Sequence, residues 1–252
     1  MRVFMGIVLP LFGTALGAMA VLFSGEARRE GGKRALNGFA AGVMTAASVW
    51  SLLLPSIAQA ARQGIPAWLP AASGFWLGVL FLWCMSALSH RLLHVRIRGV
   101  DRGTRLMILA VVLHNLPEGM AVGAAFAGVL AESPGLTLAG AMALSVGIAV
   151  QNLPEGAIIS LPLQAAGMPK YRACVFGVLS GAVEPLGAAL TLLFAQLLTP
   201  VLPFVLSFAA GAMLSVVMEE LAPQLSGGRA KAGLLLFALG FSLMMILDVA
   251  LG

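Results

Sequence analysis

The sequence predicts an all-α polytopic membrane protein that forms a single transmembrane domain over residues 1–252. Hydrophobic residues make up 60% of the chain and charged residues only 10%, whereas soluble domains have about 45–50% and about 25%. Apolar runs of about 20 residues, the length that spans a bilayer as a helix, recur along the whole chain. Every Lys and Arg lies between these runs or at their edges. This composition excludes a water-soluble fold.

Eight transmembrane helices are predicted from windows of about 20 apolar residues. In chain order they cover residues 3–23, 36–58, 68–89, 105–127, 135–162, 171–198, 201–222 and 231–250. The first run continues through Phe23, which favours a membrane span over a cleaved signal peptide. The chain has 30 glycines, and small residues of this kind let membrane helices pack closely.

The basic residues divide unevenly between the two sides of the predicted bundle. One side holds 13 of them: four in the connection between spans 1 and 2, five between spans 3 and 4, two between spans 5 and 6 and two between spans 7 and 8. The opposite side has only Arg2 and Arg62. Because cytoplasmic loops carry the excess of Lys and Arg, both termini are predicted outside, with the fourth and fifth spans antiparallel. The basic loops then contact the lipid bilayer, so the net charge of +5 does not indicate a nucleic-acid partner.

A polar motif occurs twice, as HNLPEG at residues 114–119 and as QNLPEG at residues 151–156. Since the two spans that contain it are antiparallel, they form an inverted repeat, and transporters place substrate sites at such axes. Positions i, i+1 and i+4 share one side of a helix. The polar side chains of each motif therefore point one way: His114, Asn115 and Glu118 in the fourth span, and Gln151, Asn152 and Glu155 in the fifth. Pro117 and Pro154 are expected to kink the two helices and free a carbonyl in each.

Carboxylates inside the predicted spans indicate a cation site. An acid at the bilayer centre costs roughly 2.5–3.5 kcal/mol, and no basic residue in the interior of a span can pair with Glu118, Glu155 or Glu184. Glu184 also precedes Pro185, which interrupts the sixth helix. Imidazole, amide and carboxylate donors together suit divalent first-row metal ions, and the missing thiolate disfavours Cu(I).

On these motifs the chain resembles the ZIP (Zrt-/Irt-like protein) family of divalent-metal transporters, prokaryotic type, over essentially its whole length. The resemblance implies a 3+2+3 helix arrangement, a homodimer, and elevator-type import of zinc into the cytoplasm. Cadmium, iron, manganese, cobalt and nickel are alternative substrates. It also implies a bacterial-type cytoplasmic (inner) membrane location, no enzymatic activity and no cofactor.

The resemblance further implies a two-metal centre between the fourth and fifth helices. His114, Glu118, Gln151 and Glu155 would line one metal position, with Met44 nearby. Asn115, Glu118, Asn152, Glu155 and Glu184 would line the second position. Two residues depart from the family pattern: Gln151 stands where many members have His, and Asn152 where bacterial relatives often have Asp. Both departures weaken the donor set.

Further candidates for secondary metal binding or metal release are Ser51, Glu219, Glu220, His90 and His94. The serine lies in the second span, where small hydroxyl side chains also serve as packing contacts. The two glutamates end the seventh span, and the two histidines lie one helical turn apart in the 3–4 connection. Hydrated positions at the membrane surface are the alternative interpretation for both pairs. Asp248, near the outer end of the last span, is expected to reach water.

An intramembrane metalloenzyme that uses the same residues, with Glu118 as general base, is the alternative function. A metalloprotease of this kind would show His-Glu-x-x-His, which the sequence lacks, and only one of its three histidines lies inside a predicted span. The phosphate-binding string G-x-x-x-x-G-K-[ST] is also missing, so ATP hydrolysis is not the energy source.

The predicted orientation is tested by thiol labelling in intact cells, after both native residues, Cys84 and Cys174, are replaced by serine. A cysteine added before Met1 or after Gly252 should react with an impermeant reagent, because both termini are predicted outside. A Gly99→Cys control in the 3–4 connection should react only after lysis. Labelling of the termini only after lysis would reverse the orientation and the direction of uptake.

Overall fold

The computed structural model describes residues 1–23, 30–92, 102–133, 136–225 and 230–251, and every regular element in these ranges is helical. The helices in chain order are α1 (Arg2–Met19), α2 (Glu30–Ala47, continued by a π-helical segment Ser48–Leu53 and by Leu54–Arg62), α3 (Trp68–Leu92), α4 (Arg102–Leu130), α5 (Leu138–Ala165), α6 (Lys170–Gly181, Val183–Leu193 and Ala195–Leu198), α7 (Leu202–Val216, a π-helical segment Val217–Leu221 and Ala222–Leu225) and α8 (Ala230–Leu251). A single 3-10 turn, Thr199–Val201, joins α6 to α7.

Seven of the helices in the described residues are long and apolar enough to cross a membrane. The prediction of an all-α polytopic membrane protein is therefore confirmed. Helix α4 is not among the seven; it has 29 residues, and the side chains of its first turns and of His114 lie outside the described part of the chain. The eighth span, the 3+2+3 arrangement and the single domain stay predictions.

Proline accounts for the main differences between the predicted and observed helix bounds. The predicted sixth span is interrupted at Ala182, three residues before Pro185, which has no N–H to donate to the Gly181 carbonyl. Helix α2 instead passes Pro55 and continues to Arg62, because the π-helical turn ahead of the proline shifts the hydrogen-bond register, so that the Leu54 N–H donates to the Val49 carbonyl.

Close helix pairs set the positions of the elements around the repeated motif. The most extensive pairings are α1 with α5, α2 with α8, α3 with α7 and α4 with α6. In the first pair a Cβ on Gly13 would overlap the Ala149 carbonyl, and in the last a Cβ on Gly119 would overlap the backbone of Glu184. Glycine is therefore required where these backbones touch, and the touching backbones bring α1, α4, α5 and α6 together at the motif.

Two buried apolar clusters flank that meeting point. The larger cluster joins α2, α4, α5 and α7 and includes Met44, Phe126, Leu144 and Met213. The smaller one joins α1, α4, α5 and α6 around Ile159 and Leu163. Because interiors packed in this way contain few voids, they hold the polar side chains between them in fixed positions.

Substitution of Gly13 tests the contact between α1 and α5. Gly13→Val should lower the apparent melting temperature in detergent, because the side chain must separate two touching backbones. Overpacking costs about 1–3 kcal/mol, and each kcal/mol lowers the midpoint by roughly 2–4 °C in a chain of this size. Leu16→Val, at an exposed position of the same helix, is the matched control. Equal midpoints for the two variants would contradict the close approach.

Candidate metal centre

Hydrogen bonds between helices connect the two copies of the repeated motif. The Gln151 amide of α5 donates to Glu118 Oε1 of α4 over 2.7 Å, and both side chains are buried. The two copies of the motif are therefore in direct contact in the fold. The donor to Glu118 in the first copy of the motif is thus an amide of the second copy.

Glu184 joins this group from α6. Its Oε2 accepts a hydrogen bond from the Asn152 amide over 2.9 Å, and its Oε1 accepts one from the Thr14 hydroxyl of α1 over 3.2 Å. The Asn152 amide also lies 3.4 Å from the Pro10 carbonyl. Helix α6 breaks immediately before Glu184, and this break places the carboxylate in the first turn of the new helical segment. Four helices thus contribute side chains to one polar centre.

Three carboxylates lie close enough together for their negative charges to repel one another. Glu118 bonds to Gln151 and Glu184 to Asn152, and Glu155 follows these two amides by one turn of α5. The exposed fractions are 1%, 9% and 1% for Glu118, Glu155 and Glu184. A concentration of like charge that water cannot screen is costly unless a cation or a proton neutralises it.

Several acceptor oxygens in the centre have no hydrogen-bond donor among the described residues. They are Asn115 Oδ1, Glu118 Oε2, Gln151 Oε1 and Asn152 Oδ1. Buried polar atoms normally have partners, so acceptors without donors need an explanation. Amide and carboxylate oxygens are also ligands for divalent cations. The arrangement can therefore bind a cation through oxygen atoms.

Among the described side chains, no three of the His, Cys, Asp or Glu type are grouped closely enough to hold a metal by themselves. The amides must then complete any metal site built from the described part of the chain. The one histidine of the motif, His114, belongs to α4, but its side chain lies outside the described residues. Asn115 lies in the centre and donates from its amide to the Ser180 carbonyl of α6 over 3.0 Å.

A family model described as ZIP zinc transporter matches residues 89–248, which is more than half of the chain. The chain belongs to the ZIP zinc transporter family. Curated relatives of this ZIP chain include zinc transporter ZIPB of Bordetella bronchiseptica, 38% identical over 95% of this chain and 78% of the relative. Zinc transporter GufA of Myxococcus xanthus is 36% identical and zinc transporter ZIP11 of Homo sapiens 33% identical, each over 95% of this chain and 94% of the relative. The predicted family is thus confirmed.

The secondary candidates of this ZIP chain lie apart from the centre or outside the described residues. Glu219 is exposed on α7. The side chains of Glu220 and His90 are outside the described part of the structure, as is the whole of His94. Met44 is fully buried in the larger apolar cluster, and its role beside a metal stays a prediction.

Asp248 corrects one expectation from the sequence. It is only 9% exposed rather than in open contact with water, and its Oδ1 accepts a hydrogen bond from the Ser51 hydroxyl over 2.6 Å. Both side chains line a cavity of about 250 Å³ between α2, α4, α5 and α8. The sequence could not show this pairing, because the two residues are 197 positions apart.

Thr14 is the residue of the centre that the sequence analysis missed. It belongs to α1, has no place in the repeated motif and is fully buried. The available signal was its polarity, since Thr14 is the only polar residue after Arg2 within α1. A solitary hydroxyl in an apolar helix most often bonds to its own backbone, so that signal was weak.

Paired substitutions test the hydrogen bond between Gln151 and Glu118. Gln151→Leu removes a donor from a carboxylate, whereas Asn115→Leu, the matched control, removes one from a neutral carbonyl. Hydrogen bonds to charged groups contribute about 1.5–3 kcal/mol and neutral ones about 0.5–1.5 kcal/mol. Without metal, Gln151→Leu should therefore lower the melting temperature in detergent more than Asn115→Leu does. The reverse order would mean that Glu118 does not depend on this donor.

Proposed function

We propose that this protein is a carrier that moves zinc, or a similar divalent metal ion, through a site between α4 and α5. One observation carries the proposal: Glu118, Glu155 and Glu184 are buried around the two amides Gln151 and Asn152. No Lys or Arg occurs in residues 106–169 or 173–228, the segments that supply all three acids. A mobile cation is the partner that can balance these charges and then leave.

The donor chemistry supports a divalent ion of borderline softness. Oxygens of Glu118, Glu155 and Gln151, with an imidazole from His114 on the same helix as Glu118, form the principal proposed position. Asn115, Asn152 and Glu184 extend it toward a second position. Mixed nitrogen and oxygen donors suit zinc, cobalt, nickel, iron, manganese or cadmium better than alkali ions. The relatives are named as zinc transporters, which favours zinc as substrate.

The direction of transport in the proposal is import into the cytoplasm across a bacterial-type inner membrane. The uneven distribution of Lys and Arg supports termini on the outside and basic loops on the cytoplasmic side. We further propose a homodimer, which the family resemblance implies.

An elevator-type cycle is supported by the way in which the helices pair. Helices α1, α4, α5 and α6 all contribute to the polar centre, whereas α2 pairs with α8 and α3 with α7. Movement of the first group against the second would carry the metal site between the two membrane faces without opening a continuous pore. Rigid-body movement of one bundle against another is a common route to alternating access.

The alternative, an intramembrane metalloenzyme, has less support, since the matching family and the relatives described above are transporters. Sealed proteoliposomes distinguish the two functions. A transporter accumulates Zn²⁺ in the lumen and leaves added peptides intact. Peptide cleavage without accumulation would favour the enzyme.

Isosteric substitution of the acids tests the proposed site. Glu118→Gln and Glu155→Gln should abolish uptake at equal membrane abundance, because each removes a charge that the metal must meet in a low-dielectric environment. Glu132→Gln, in the exposed connection between α4 and α5, is the matched control and should transport normally. Normal flux in either motif variant would refute the site.

Asn152→Asp tests the second metal position. The change replaces an amide that donates to Glu184 with a carboxylate beside the Glu184 carboxylate. The metal-free protein should therefore be less stable and the metal-bound form more strongly favoured. We expect a second, tighter equivalent of Zn²⁺ or Cd²⁺ by calorimetry. Maximal flux should be unchanged or lower, because a carrier must also release its ion. Unchanged stoichiometry and affinity would show that position 152 is not a ligand.

A further inference from the structure

The Thr14 side chain connects α1 to the polar centre, beside the contact between the Pro10 carbonyl and the Asn152 amide. Its hydroxyl lies 3.2 Å from Glu184 Oε1 and 3.4 Å from the Pro10 carbonyl of its own helix. A hydroxyl has one proton to donate. The carboxylate is the nearer acceptor and the charged one, and hydrogen bonds to charged groups are the stronger kind. The proton therefore goes to Glu184.

Thr14 is closely packed against glycines of two neighbouring helices. A Cβ on Gly156 of α5 would overlap the Thr14 carbonyl, so these two backbones touch. On the other side, a Cβ on Gly181 of α6 would lie 2.7 Å from both Cβ and Oγ1 of Thr14. The Thr14 backbone thus contacts Gly156, and its side chain contacts Gly181. This close fit fixes the hydroxyl where the Glu184 carboxylate begins the second segment of α6.

Glu184 and Glu118 differ in how they are held. Glu184 has a donor on each oxygen, Thr14 on Oε1 and Asn152 on Oε2, and the two donors come from different helices. Glu118 has a donor on Oε1 alone, and Oε2 has no donor among the described residues. One donor to Glu184, Asn152, thus belongs to the motif and the other, Thr14, lies outside it, so the two together set the plane of the carboxylate.

We propose that Thr14 is a positioning residue that orients the Glu184 carboxylate for the metal ion, and that it thereby sets the metal affinity of the centre. The inference rests on the proposed transport function and extends it to α1, which contributes nothing to the repeated motif. Residues that hold a metal ligand by hydrogen bonding typically change metal affinity or activity by 10–100-fold when they are replaced.

Two substitutions of Thr14, one that removes the hydroxyl and one that removes the methyl group, distinguish a positioning role from a packing role. Thr14→Val keeps the side-chain volume packed against Gly181 but removes the hydroxyl, whereas Thr14→Ser keeps the hydroxyl and removes a methyl group. We expect Thr14→Val to weaken Zn²⁺ binding by calorimetry, and to raise the KM of proteoliposome uptake, by about 10-fold or more. Thr14→Ser should stay within about twofold of the unmodified protein. If packing alone matters, Thr14→Ser will bind Zn²⁺ more weakly than Thr14→Val. That result would overturn the proposal.

A double substitution shows whether the effect passes through Glu184. In a Glu184→Ala background, Thr14→Val should cause no further loss of Zn²⁺ affinity, because residues that act through one another are not additive. An undiminished further loss would overturn the positioning role. If Thr14→Val fails to accumulate in membranes, Thr14→Cys supplies a side chain of similar size with a weak donor, and the same loss is expected.

The outcome also separates this inference from the proposed function. Loss of binding in Glu184→Ala with normal binding in Thr14→Val would overturn the positioning role and leave the metal site intact. Normal binding and uptake in Glu184→Ala would remove Glu184 from the site and overturn the positioning role with it. Loss of uptake in Glu118→Gln would still support the principal metal position in that case.

Discussion

Negative charge buried inside a membrane bundle is the constraint on which the rest of this structure depends. Glu118, Glu155 and Glu184 lie together where water cannot screen them, on segments without Lys or Arg. Amides and one hydroxyl donate to two of these acids and hold them in place, but neutral donors do not cancel charge. The side chains of the centre are therefore arranged without metal, and a cation can balance the acids when it binds, which suits a protein that must both bind and release a cation.

Glycine and proline produce the geometry that this centre needs. Glycines such as Gly119 and Gly156 let backbones touch, so short side chains reach from one helix to the next. Proline acts in two ways. In α6 it follows a break that places Glu184 at the start of a new helical segment. In α2 a π-helical turn precedes the proline, which has no N–H to donate, and the helix continues. The same residue type gives different outcomes because the neighbouring turn differs in its hydrogen-bond register.

In the proposed metal site, amides stand where charged or aromatic ligands could. Gln151 and Asn152 each place an N–H on a carboxylate and keep an oxygen without a donor among the described residues. The N–H of such an amide can thus bond to a carboxylate when the cation is absent, and its oxygen can bind the cation when it is present. A carboxylate at the same position would bind metal more strongly and repel its neighbours more strongly, so the amides favour release over retention.

The sequence by itself determined the membrane class, the repeated motif and the acids in it. These follow from local properties: apolar run length, helical periodicity and the cost of burying charge. Only the tertiary structure decided which donor meets which carboxylate, that Ser51 pairs with Asp248, and that Thr14 belongs to the centre. Thr14 and Glu184 are 170 residues apart, and no periodicity within a helix encodes a contact between helices. That contact exists because glycine backbones let α1, α5 and α6 approach, and this packing is a property of the assembled bundle.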